Sequence, residues 1–113
     1  MDEKVIHLED GTTVEAKVNF ATLYYMQKFN VEKLINRYEK EKNDEDGIEL
    51  MARMLHVILL SNGRICTFEE ALVLMPLDDE EFEAVLSDFS AKVEDYKKKQ
   101  EQRTRMKNFQ ASV

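Results

Sequence analysis

Apolar and polar positions alternate at the start of the chain. Ile6 and Leu8 are separated by one polar residue, as are Val14, Ala16 and Val18, and Glu9-Asp10-Gly11 stands between the two sets. This period of two around an Asp-Gly step predicts a β-hairpin over 4–18. Side-chain parity chooses the turn. A two-residue Asp-Gly loop pairs Ile6 with Glu15 and splits the apolar residues between opposite faces. A three-residue loop with Gly11 left-handed pairs Leu8 with Thr12 and Ile6 with Val14, which unites them. An isolated two-stranded hairpin is marginal in water, so its apolar face is expected on the helices that follow.

From residue 19 the period changes. Asn19 is a predicted N-cap for a helix carrying Phe20, Leu23, Tyr24 and Met26. Val31, Leu34, Ile35 and Tyr38 form a second helical stripe, either in a separate helix capped by Asn30 or in one helix bent near Phe29-Asn30. The polar stretch 39–47 is read as a solvated loop. Residues 48–60 are the most apolar segment and turn apolar almost all round, the pattern of a helix with neighbours on every side. Asn62-Gly63 supplies a left-handed C-cap, and Thr67 with Glu70 forms a capping box for a short helix ended by Pro76. Asp78 with Glu81 makes another box, with Leu77 and Phe82 at hydrophobic-staple positions. Phe82, Val85, Leu86, Phe89, Val93 and Tyr96 then hold one apolar face, and nothing stops this last helix before about Arg105.

The elements assign a mainly α fold. The expectation is a small helical domain of four to five helices with an N-terminal antiparallel β-hairpin and a long C-terminal helix. Residues 1–96 form one globular domain (hairpin 4–18, helices 19–96), and 97–113 form a basic helical or disordered tail. The length of 113 residues suits a single core, and three glycines with one proline are too few for a many-turned β-sandwich.

Charge changes the picture mainly through its placement. The net charge is −7, yet residues 1–95 hold ten basic and 22 acidic side chains. After Tyr96 there are six basic residues, Lys97, Lys98, Lys99, Arg103, Arg105 and Lys107, against Glu101 alone. An acidic body with a basic tail is a poor general binder of nucleic acid, and Tyr96 and Phe109 give the tail little to stack bases on. Tail cations beside the negative end of a helix dipole, or docked on the acidic body of another copy, account for the charge better. A small regulatory or nucleic-acid-binding protein using this tail stands as the alternative reading. The opening Met1-Asp2-Glu3 lacks the positive charge of a secretory signal. The longest apolar run, Ala71 to Met75, is far short of the roughly 18 residues a membrane span needs. A soluble, cytoplasmic chain without membrane attachment is expected.

Little catalytic chemistry is spelled out. His7 and His56 lie in different predicted elements, and Cys66 has no second cysteine, so packed or surface roles fit all three. Asp44-Glu45-Asp46-Gly47 resembles a calcium loop, but taking Gly47 as position six puts Lys42 and Arg53 where acidic ligands belong. No glycine-rich phosphate cradle is present. No enzyme, cofactor or metal is expected.

The remaining signal is apolar surplus. Tyr24-Tyr25-Met26 and Leu72-Val73-Leu74-Met75 are apolar on more than one helical face. A domain of this size cannot bury them all, and flexible methionine-rich surfaces suit partners that are themselves apolar helices of varied sequence.

The order of these features resembles a known family. The Asp-Gly hairpin is followed by "VNFATLYYMQKF", "MARMLHVILLSNG" and "TFEEALVLMPLDDEEFEAVLSDF", then a charged tail. This resembles the tail assembly chaperones of long-tailed bacteriophages, especially those infecting Gram-positive bacteria such as lactococci. The resemblance implies a non-enzymatic protein that keeps the long, helical, aggregation-prone tape measure protein soluble in the host cytoplasm and is absent from the finished virion. It also implies homo-oligomers, as rings or spirals. On that basis Tyr24, Tyr25, Met26, Met51, Met54, Leu74 and Met75 are expected at the client or subunit surface. Lys97, Lys98, Lys99, Arg103 and Arg105 are expected to serve self-association.

Overall fold

The architecture is taken from a computed structural model, which describes residues 5–76 and 78–111, with side chains as far as residue 99 apart from Asp79. Strands β1 (Val5–His7) and β2 (Thr13–Glu15) precede helices α1 (Phe20–Lys28), α2 (Val31–Glu41), α3 (Asp44–Ser61), α4 (Phe68–Leu74) and α5 (Asp79–Ala111). The fold is mainly α, with five helices, the N-terminal antiparallel hairpin and the long C-terminal helix among the described residues.

The hairpin takes the register that parity requires. Ile6 faces Val14, the Leu8 N–H donates to the Thr12 carbonyl at 2.9 Å, and Gly11 adopts φ +87°. Ile6, Leu8 and Ala16 are all buried against the helices. The tip is tied down as well. Arg64 donates to Thr12 Oγ1 at 2.8 Å and to Asp10 Oδ2 at 3.0 Å, while the Glu9 N–H donates to the Leu74 carbonyl at 3.1 Å. Hydrogen bonds from the Thr12 hydroxyl and N–H, then Arg64, pull the Asp10 carboxyl down to about 2.

Asn19 caps α1 in a box with Thr22, and its side-chain amide also donates to the Ser61 carbonyl at 2.9 Å, fastening the start of α1 to the end of α3. The two alternatives for residues 19–38 resolve as two helices. Asn30 stands between them at φ 52°, and its side chain makes no cap bond, so asparagine serves there for its tolerance of left-handed backbone.

The stretch 39–47, expected as a loop, is mostly helix. α2 runs through Glu41, Lys42 turns the chain at φ 50°, and Asn43 accepts from the Asp46 N–H to start α3. Two physical terms outweigh its polarity. Asp44, Glu45 and Asp46 complement the positive pole of α3, and Arg37 clamps the corner at 3.0 Å from Asp46 and 3.2 Å from Glu49. At the other end of α3, Gly63 (φ +89°) closes a Schellman motif through Gly63 N–H to Leu60 O and Arg64 N–H to Leu59 O.

Leu55, Val57, Ile58 and Leu59 of α3 are fully buried and form the centre of the core. Phe82, Val85, Leu86, Phe89 and Val93 of α5 cover one side, and each such side chain contributes about 1.5–3 kcal/mol by leaving water. The Thr67–Glu70 box is complete, and Asp78 accepts from the Glu81 N–H. Leu77 of the predicted staple lies outside the described residues. α5 runs on past the 96/97 boundary and past Arg105 to Ala111 without a break. Val93 is its last buried residue among those described. No described helix is long and apolar enough to cross a membrane.

Candidate functional site

α5 does not close fully onto α2 and α3. Between them runs an open groove of about 640 Å³. Its floor is apolar: Met26 comes from α1, Ile35 and Tyr38 from α2, Leu50, Met51 and Met54 from α3, and Leu86 and Val93 from α5. Helical spacing explains the set, since Leu50 and Met54, and Leu86 and Val93, recur on single faces of their helices. The gap persists because α5 presents Ser87 and Ser90 toward this space, where larger side chains would fill it. Tyr38 closes one end over Gly47. A Cβ on Gly47 would lie 2.9 Å from Tyr38 Cε1, so glycine lets the ring settle there. The rim is acidic, with Glu39 on the α2 side and Glu83 and Glu94 on the α5 side, all exposed.

A second depression of about 420 Å³ shares Met26, Ile35, Val93 and Glu94 with the groove and extends it toward Asn30. Lys97 lies at its border, with Nζ 3.1 Å from Glu32 of α2.

The seven expected partner residues divide. Met26 and Met51 line the groove and are half-buried. Met54 reaches the same space but is only 3% exposed, so it is core beneath the floor rather than free surface. Tyr24 is 55% exposed but points elsewhere, packing edge-on to Tyr25 at 5.1 Å under Lys28. Tyr25 is half-buried and stacks on Phe29 at 6.0 Å, an internal contact. Leu74 and Met75 are half-buried against the core, away from the groove. The outward apolar side chains of α4 are instead Leu72 and, at 74% exposure, Val73.

Of the tail cations expected to serve self-association, two have partners on their own chain. Lys97 pairs with Glu32, and Lys99 lies 3.5 Å from Asp95 one turn back on α5, so both are engaged within their own chain. Lys98 is exposed. The side chains of Arg103 and Arg105 lie outside the described residues.

His56 and Cys66 meet without forming a nucleophile pair. His56 Nε2 donates to the Cys66 carbonyl at 2.8 Å, and His56 Nδ1 is buried without a partner. The ring stacks on Phe29 at 5.1 Å, and the Arg53 guanidinium sits 3.9 Å from the Phe68 ring and 4.9 Å from Phe29. The cluster packs α1, α3 and α4 together. Burial, with Glu70 nearby, pushes the Cys66 thiol up, away from the reactive thiolate. His7 is exposed, 3.4 Å from Glu81. Among the described residues no three His, Cys, Asp or Glu side chains converge as a metal site.

The groove joins residues that the linear pattern keeps apart. Ser87 and Ser90, small residues on the Glu83-Ser87-Ser90-Glu94 line that borders the apolar face of α5, were the available signal for it. The chain matches no family model, no curated protein and no solved structure.

Proposed function

We propose that this protein is a non-enzymatic tail assembly chaperone, of the kind made by long-tailed phages. It would hold apolar helices of the tape measure protein in the groove between α2, α3 and α5. The observation that carries the reading is the groove itself, a methionine-rich apolar floor left open by Ser87 and Ser90 beside a well-packed core. Its volume lies within the range of specific binding clefts, and methionine side chains adapt to clients of varied sequence. The exposed Phe20, Ile48, Ile65 and Val73 add apolar surface through which copies would assemble into rings or spirals along an extended client. Affinity per copy need not be high, because linked sites on one long chain raise the effective concentration of each. The net charge of −7 would keep such a complex soluble in the host cytoplasm during assembly.

Co-expression with the tape measure protein of the same genome tests this. Soluble client co-purifying with the chaperone is expected, and losing it on replacing Leu50 with glutamate would assign the effect to the groove. Client that stays insoluble beside abundant folded chaperone would overturn the reading.

A further inference from the structure

The proposed function leaves the client helix undefined, and the charge around the groove narrows it. Glu39 stands on the α2 side, and Glu83 and Glu94 stand on the α5 side. No lysine or arginine lines the groove itself; Lys33 and Lys97 border only the adjoining depression, where Lys97 is paired with Glu32. Glu83 and Glu94 are eleven residues apart on one helix, a separation of about 16 Å or three turns. An occupant lying along the floor would therefore pass Glu39 on one side and Glu83 and Glu94 on the other. A helix with acidic flanks would meet like charge there, whereas one with basic flanks would find partners.

We infer that the groove selects an amphipathic helix whose apolar stripe is bordered by lysine or arginine over about three turns. The inference rests on the groove being the client site. The occupant is a helix of another protein rather than the basic tail of a neighbouring copy, for two reasons on this chain. Lys97 and Lys99 already contact Glu32 and Asp95 of their own chain. Beyond Tyr96 the sequence also has no continued apolar stripe to fill the floor. Methionine supplies the tolerance for apolar sequence, and the glutamates supply the discrimination.

The test uses the full chain and three fluorescein-labelled helical peptides of about five turns, identical in their leucine stripe and differing only in flanks of lysine, glutamine or glutamate. Anisotropy titrations at low salt should show the lysine peptide binding about tenfold tighter than the glutamine one, since each of three exposed ion pairs contributes roughly twofold. The glutamate peptide should be weakest. The preference should shrink at high salt. A variant with Glu39→Gln, Glu83→Gln and Glu94→Gln, all exposed and checked for helicity by circular dichroism, should bind the three peptides alike. Equal binding of all three by the unaltered protein would overturn the charge selection while leaving the groove as a helix site. No binding of any would remove the groove reading and this inference with it. A fourth peptide with the sequence of residues 97–113 should bind at least tenfold more weakly than the lysine peptide, and equal affinity would make the occupant a second copy's tail.

Discussion

Met51 and Met54 stand about one turn apart on α3, yet one faces open groove and the other belongs to the core. Truncating each to alanine separates binding from folding. Met54 is 3% exposed and touches the buried cluster, so Met54→Ala should cost about 2–5 kcal/mol, the range for emptying a packed site. Against a total stability of about 5–15 kcal/mol that is a large fraction. With an m-value near 1.5 kcal/mol/M, the urea midpoint should fall by about 1–3 M. Met51 is half-buried, so Met51→Ala gives up only part of the 1.5–3 kcal/mol of a full burial, about 1 kcal/mol. Its loss should show in the client instead. Removing one apolar anchor from a helix site weakens binding by about 1 kcal/mol or more, at least about fivefold in Kd. Far-ultraviolet circular dichroism in urea reads the first quantity, and anisotropy with a labelled tape measure helix reads the second. Equal destabilisation by the two variants, with unchanged client affinity for Met51→Ala, would show that the groove is merely an imperfect core.

Other consequences are as direct. Ser87→Leu places an apolar side chain in the gap between α5 and α3, so it should leave stability equal or raised while abolishing client binding; lost stability with retained binding would refute the role given to this serine. Asn19→Ala removes both the α1 cap and the tie to the Ser61 carbonyl, and thermal unfolding should report a loss of about 1–2 kcal/mol. Asp10 is lowered from 3.8 to about 2 in the folded protein, so its contribution is complete above pH 4 and disappears as pH falls through 2. Asp10→Asn should therefore flatten the acid limb of the stability profile between those values, and an unchanged limb would mean that the tip contacts are absent in solution. The effect should be small and weakened by salt, since the carboxylate is at the surface.

Local rules carried far into this fold. The parity of Ile6, Leu8 and Val14 demanded the loop that forms, and Asn19, Gly63 and the Thr67–Glu70 pair mark helix ends as their chemistry requires. Where polarity alone was the guide, the reading failed. Residues 39–47 look like solvent-exposed loop because helix ends and charged helix faces have the same composition as loops. The candidate site was legible only in part. Met26 and Met51 are at the groove, but whether a methionine is floor or core depends on how α5 lies over α3, which Met54 could not reveal from its neighbours in sequence. On α4 every residue from Ala71 to Leu74 is apolar, so the pattern has no phase. Packing turned Ala71 inward and Val73 outward, leaving Leu74 half-buried. The glutamate rim draws one residue from α2 and two, eleven apart, from α5, and leaves no local motif at all.

The claim that the methionine groove holds client helices is tested most directly at the methionines themselves. With methyl-labelled methionine and a titrated tape measure helix, the account predicts that the resonances of Met26, Met51 and Met54 shift together and saturably. Met75, packed away from the groove, should stay in place. Saturable shifts at Met75 with Met26 and Met51 unmoved would contradict it.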